Sequence, residues 1–139
     1  MIAIIASLFG IGASGTNYEA GQIWEYNARD HEKGSRLYIV QVDENKTIGK
    51  IYHIYIDGLK IKNPHIQGGI QSVLPHAPVD AKTLKLSLIK KIGTTKDLPD
   101  ISEGYSVWKK AFDSGEGGVF NISVDKIIEY IEEVVGKSA

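Results

Sequence analysis

The chain has 139 residues, 42% hydrophobic and 24% charged, which is the size and composition of one globular domain and excludes a disordered or fibrous chain. Sixteen Lys and Arg stand against seventeen Asp and Glu, a net charge of −1, so there is no general pull toward nucleic acid or anionic lipid. With no cysteine, disulfides, thiolate zinc sites and cysteine nucleophiles are excluded outright.

Residues 1–15, MIAIIASLFGIGASG, carry no charged side chain. A bilayer span takes about 20 apolar residues, so no transmembrane span is expected here. The length suits a signal-peptide core, and Ala13 and Gly15 place small side chains before a cut at Thr16, although no Lys or Arg precedes Ile2. Cleavage implies a periplasmic or exported protein; without it the address is cytoplasmic. Two other readings stay open. The segment also suits a buried first strand or helix, and Gly10, Gly12 and Gly15 spell the G-x-G-x-x-G of a dinucleotide-binding turn. That turn needs a helix after it and an acid roughly 20 residues on. Here a strand pattern follows, and Asp43 lies 28 residues past Gly15.

Residues 16–139 read as a single α+β domain. Its first half has the period of strands. Trp24, Tyr26 and Ala28 alternate along 22–29, 37–42 (LYIVQV) is apolar at most positions, and 48–61 is long, β-branched and aromatic. In the last of these, Tyr52, Ile54 and Ile56 share one face while Ile51, His53, Tyr55 and Asp57 share the other. Gly58 is where so long a strand bends into two pieces. Turn chemistry at 30–34 and 43–46 links the strands closely, which favours an antiparallel meander.

The second half has the period of helices. Asp80 caps an expected helix over 81–92, with Ala81, Leu84, Leu88 and Ile92 on one face and Gly93 as the stop. A second is expected over 101–114, where Tyr105, Trp108 and Phe112 form a stripe and Asp100 with Glu103 resembles a capping box. Residues 119–122 read as a late edge strand. Ser123 then caps a third helix whose Val124, Ile127, Ile128, Ile131, Val134 and Val135 make a wide apolar face before Gly136. The expected architecture is an antiparallel meander sheet of three to five strands followed by three helices packed on it. Five Lys and no acid between 81 and 96, against an acidic last helix, read as solvated faces.

Residues 62–79, KNPHIQGGIQSVLPHAPV, are the least regular stretch and hold three of the four prolines and two of the four histidines. Irregular segments of that length inside a domain are usually functional, which makes this the expected interaction surface. The candidate binding residues are His53, Asp57, Asn63, His65 and His76. His53 and His76 near Asp57 form the acid–base alternative. Spacings of twelve and eleven residues between the three histidines match no ligand motif, so no metal site and no cofactor are expected. No G-x-S-x-G elbow exposes a serine.

The strings GQIWEYNAR, GKIYHIYIDGLKIKNPH, LPHAP and GYSVWKKAFDSGEGGVFNISV resemble a family of small uncharacterised bacterial proteins across most of residues 21–133. The resemblance implies a bacterial source and a self-contained domain, and carries no activity, cofactor or catalytic residue. The functional expectation is a non-enzymatic binding or inhibitor-like module that meets another protein through 62–79. The alternatives are a small enzyme using His53 and His76, and a nucleotide turn at 10–15. Intact mass of the protein from fractionated bacterial cells tests the address. Export gives a shortened periplasmic species beginning near Thr16; a full-length cytosolic species rejects it.

Overall fold

The computed structural model describes residues 17–137, so the signal-peptide and glycine-turn readings of 1–15 lie outside the described residues. Among them, strands β1 (Gln22–Tyr26), β2 (Arg36–Asn45), β3 (Gly49–Asp57), β4 (Ile61–Lys62), β5 (Ile70–Gln71) and β6 (Leu74–Val79) precede helix α1 (Ala81–Ser87). Strand β7 (Leu88–Thr94), helix α2 (Ser102–Asp113) and helix α3 (Val124–Lys137) follow. Five strands form one antiparallel sheet in the order β6-β3-β2-β1-β7, and β4 and β5 pair as a separate hairpin. The α+β class and the β1-β2-β3 meander agree with the sequence pattern.

The side-chain alternation of β3 divides the molecule into layers. Tyr52, Ile54 and Ile56 join Leu37, Ile39, Ala77 and Val79 in a core closed by Leu84 of α1 and by Val124, Ile127 and Ile128 of α3. Leu37, Ile39, Ile54, Ile56, Val79, Leu84, Ile127 and Ile128 are each 0% exposed. Full burial of such a side chain stabilises by about 1.5–3 kcal/mol. Ile51 and His53 point to the opposite face, where the stripe on α2 meets them. The helices therefore lie on both sides of the sheet. Strand β2 is correspondingly asymmetric: Leu37 and Ile39 are sealed, while Tyr38 and Val40 are only half-buried.

Three expected elements change. The helix over 81–92 ends at Ser87; Leu88 turns extended (φ −77°, ψ 137°) and begins β7. Strand β1 would otherwise expose a row of unpaired amides and carbonyls, and pairing with 88–94 satisfies them. Long-range hydrogen bonding thus overrides helical periodicity in a segment containing Ile89, Ile92 and Gly93. Bulges leave Ile89 and Ile92 outside the ladder and exposed, and Lys90 sits opposite Glu25. The helices consequently do not simply follow the sheet, because one of its edges comes from their half of the chain.

The second change concerns 62–79. It is an ordered hairpin followed by edge strand β6 rather than one loop. Gly58 makes the bend before it with φ +68°, and a side chain there would stand 3.0 Å from the Ser35 Cα. The late strand over 119–122 is reduced to a parallel bridge between Phe120 and Val79. Asp80 caps α1 as expected, accepting from the Thr83 amide. At the start of α3 the Ser123 carbonyl accepts from the Ile127 amide, and the Val124 amide donates to the Ser87 hydroxyl, which itself donates to the Thr83 carbonyl. Asp100 accepts from the Ser102 amide, one residue ahead of the cap position.

A charge clamp ties the remote parts together. Arg29 grips Glu32 with two 2.7 Å bonds and reaches Glu132 of α3 at 3.0 Å. Glu32 also accepts from the Lys60 amide, and Glu132 from the Lys62 amide. Burial pushes the Glu32 carboxyl up, but the Arg29 and Lys60 bonds outweigh it and hold the group below its ordinary value. Its stabilisation is therefore present at neutral pH and lost as pH falls through that lowered value. Glu32→Gln is expected to destabilise by about 3 kcal/mol in urea unfolding at pH 7, with the deficit shrinking in acid.

Candidate functional site

The sheet face opposite the main core carries a chain of hydrogen-bonded side chains. Strand β2 pairs with β3 so that Gln41 faces His53 and Asp43 faces Ile51, and β6 pairs so that Pro78 faces His53. Two residues back along β6, His76 reaches the same side. His53 Nδ1 lies 2.9 Å from His76 Nε2, and His53 Nε2 lies 3.1 Å from Asp43 Oδ2. Tyr105 donates its hydroxyl to that same oxygen at 2.7 Å, and Gln41 donates to Asp43 Oδ1. Tyr105 and Trp108 set their rings against His53 with centroids 4.8 Å away in both cases. His53 is 0% exposed.

The hydrogen bonds fix the protons. Burial raises the Asp43 carboxyl, but bonds from Gln41, Tyr105 and His53 outweigh that and hold it below its ordinary value, so it is an anion at neutral pH. It can only accept, so His53 Nε2 must donate. A neutral ring then leaves Nδ1 of His53 as an acceptor, and His76 donates from Nε2. The free position is Nδ1 of His76, which makes no hydrogen bond in the protein and is not a buried orphan. Both rings are held neutral. Burial lowers His53 more than Asp43 raises it, and burial followed by the nearby His53 charge pushes His76 down to about 4.

Of the five candidate residues, His53 and His76 come together and three go elsewhere. Asp57 shares the strand face of His53 but lies four residues along, roughly 13 Å away, and pairs with Arg36 at 3.0 Å and the Tyr38 hydroxyl at 3.3 Å. Asp43 takes the place expected of Asp57. Asn63 braces the hairpin, donating to Gln71 and accepting from the His65 amide. His65 Nε2 contacts the Val135 carbonyl at the end of α3. A tetrahedral metal between the two rings needs nitrogens roughly 3.3 Å apart or more, wider than the 2.9 Å observed. Among the described residues no group of three His, Asp or Glu is disposed to hold a metal.

Asp43 and Tyr105 are the partners that the sequence pattern concealed. Asp43 reads as a turn residue, yet β2 continues to Asn45 and the turn is only 46–48. Counting back from a tight hairpin at Asn45 and Gly49 puts Asp43 on the side of Ile51 and His53, which is the signal that would have found it.

Helix α2 is seated on this face with none of its residues fully buried. Among the described residues, three clefts beside it share Trp108 as a wall. One of about 370 Å³ lies by Asp43, Tyr105 and Phe112, and one of about 470 Å³ by Pro75, Ile101 and Gly104. The largest of the three, about 500 Å³, is lined by Pro78, Trp108, Val119, Phe120, Ile122 and Tyr130. The Trp108 Nε1–H donates to the Gly118 carbonyl at 2.7 Å, fixing the indole at its edge. Neither His53 nor His76 lines any of them. The chain matches no protein-family model, no curated protein and no solved structure.

Gly104 brings the α2 backbone close to His76. A Cβ there would sit 2.8 Å from the His76 Cβ. Gly104→Ala would by helix propensity alone stabilise by about 1 kcal/mol. The steric contact reverses the sign: a net loss of about 1–2 kcal/mol is expected in urea unfolding followed by Trp108 emission.

Proposed function

We propose that the chain is a binding protein rather than an enzyme, and that the cleft between α2 and residues 118–122 receives apolar side chains of a partner protein. The observation that carries this reading is the separation of chemistry from space. The titratable pair spends its facing nitrogens on internal bonds beneath α2, whereas the roomiest of the three clefts around α2 is lined by Pro78, Phe120, Ile122 and the rings of Trp108 and Tyr130. Tyr130 is 54% exposed at the rim and Ile122 is 40% exposed. Apolar and aromatic anchors of this kind supply most of the energy in protein interfaces. The acid–base alternative loses Asp57 as a member, and none of the three clefts presents a substrate to either ring.

A second surface has its own observation. The β4–β5 hairpin, braced by Asn63 and by the His65–Val135 contact, presents Ile66 and Ile70 at 40% and 49% exposure. These two side chains are the exposed large apolar groups of 62–79, which supports a contact there.

A photoreactive phenylalanine analogue at Tyr130, and separately at Ile70, tests both surfaces in bacterial cells. The cleft reading expects one discrete protein adduct from position 130. The purified adduct partner is then expected to bind the chain, and Ile122→Asp to weaken binding at least tenfold with an unchanged circular dichroism spectrum. No adduct, or affinity unmoved by Ile122→Asp, overturns the cleft; an adduct only from position 70 assigns the hairpin instead.

A further inference from the structure

We propose that the His53–His76 contact is a proton-operated latch for α2, holding the helix on the sheet while the two rings share at most one proton and releasing it when both are charged. The hydrogen-bond count supplies the asymmetry. With no added proton the order is Asp43 carboxylate, His53 donating from Nε2, and His76 donating from Nε2 to His53 Nδ1. One proton enters at the free Nδ1 of His76, and the Nε2 proton of His76 can pass to His53 Nδ1 without any bond being lost. The charge then rests on His53 beside the Asp43 carboxylate. A second proton puts N–H groups on both facing atoms, 2.9 Å apart, and two positive charges on rings whose centroids are 5.2 Å apart.

The charged groups facing the pair compensate only the first proton. From β2 comes Asp43, with the neutral Gln41 amide behind it. From α2 comes the Tyr105 hydroxyl, which donates to Asp43, and further along the helix Lys109, which is paired with Asp113. Strand β6 contributes His76 itself, and Asp100 and Glu103 line the cleft beside the neighbouring Pro75 without shifting either ring. Helix α2 is the element that yields because no residue of its own is fully buried, and Tyr105 and Trp108 rest on His53. The lowered titration of His76, to about 4, has burial of the ring as its larger cause and the nearby His53 charge as its second, and the second of these is the closed state resisting two charges. An open His76 titrates near 6.5, so acidification from pH 7 to 3.5 shifts the open-to-closed ratio by about 200-fold. Release also removes the Trp108 wall of the cleft; that consequence rests on the cleft being the binding site.

The test follows Trp108 emission in the Trp24→Phe protein from pH 7 to 3.5, with amide exchange of α2 and β3 recorded alongside. Opening is expected between pH 5 and 4, with α2 amides losing protection while β3 amides keep theirs. His76→Gln retains a donor for His53 Nδ1 and takes up no proton, so α2 should stay closed over that range. Should His76→Gln fail to fold, imidazole ¹⁵N shifts of the unsubstituted protein decide: His76 titrating near 6.5 with α2 still protected overturns the latch. Joint loss of α2 and β3 protection overturns it too, as does a His76→Gln response equal to that of the parent. No partner enters these measurements, so they succeed or fail separately from the cleft; reduced partner affinity in acid that His76→Gln abolishes links the two.

Discussion

Burial of an imidazole is the constraint on which this side of the molecule depends. His53 sits on β3, an interior strand of the antiparallel sheet, with no exposure, and a buried ring cannot leave its nitrogens unpaired without a cost of about 1–3 kcal/mol. One nitrogen is met by Asp43 from the neighbouring strand and the other by His76 from the edge strand. Those partners in turn need Tyr105 and a close approach at Gly104, which determine where α2 lies along the sheet and how near its backbone comes. The position of Trp108, and with it the shape of three clefts, follows from satisfying one histidine.

The two faces of the sheet solve the burial problem differently. Toward α1 and α3 the surface is aliphatic and tightly closed, with the Arg29–Glu32–Glu132 clamp pinning the far end of α3 to the β3–β4 link. Toward α2 the contact is polar and aromatic, and the helix contributes only half-buried side chains. The aliphatic side chains of the first layer do not titrate, and its acid-sensitive part is the Glu32 clamp, whereas the second layer is built on a histidine pair. This division makes local release of α2 compatible with an intact sheet.

The sequence pattern made several parts of this plan legible. The alternation of Tyr52, Ile54 and Ile56 against Ile51 and His53 already separates the two faces. The Tyr105–Trp108–Phe112 stripe marks the side of α2 that turns inward, and the apolar positions of 124–135 mark the side of α3. The convergence of His53 and His76 was visible only as candidacy, since twenty-three residues separate them and only strand register brings them to 2.9 Å. Asp43 was hidden by its turn-like neighbours, and Asp57, on the right face, lies too far along the strand to serve.

Local physics by itself determined the class of the fold, the identities of its strands and helices in most places, and which side chains face inward, because side-chain periodicity and capping act within a few residues. Tertiary structure alone decided that 88–94 is a strand, that the helices divide between two faces, and that Asp43 rather than Asp57 joins the histidines. Each of those outcomes depends on a hydrogen-bonding partner distant in the chain: the open edge of β1, the polar surface around His53, and the register of β2 on β3. A short-range pattern holds no information about such partners until the strands are aligned.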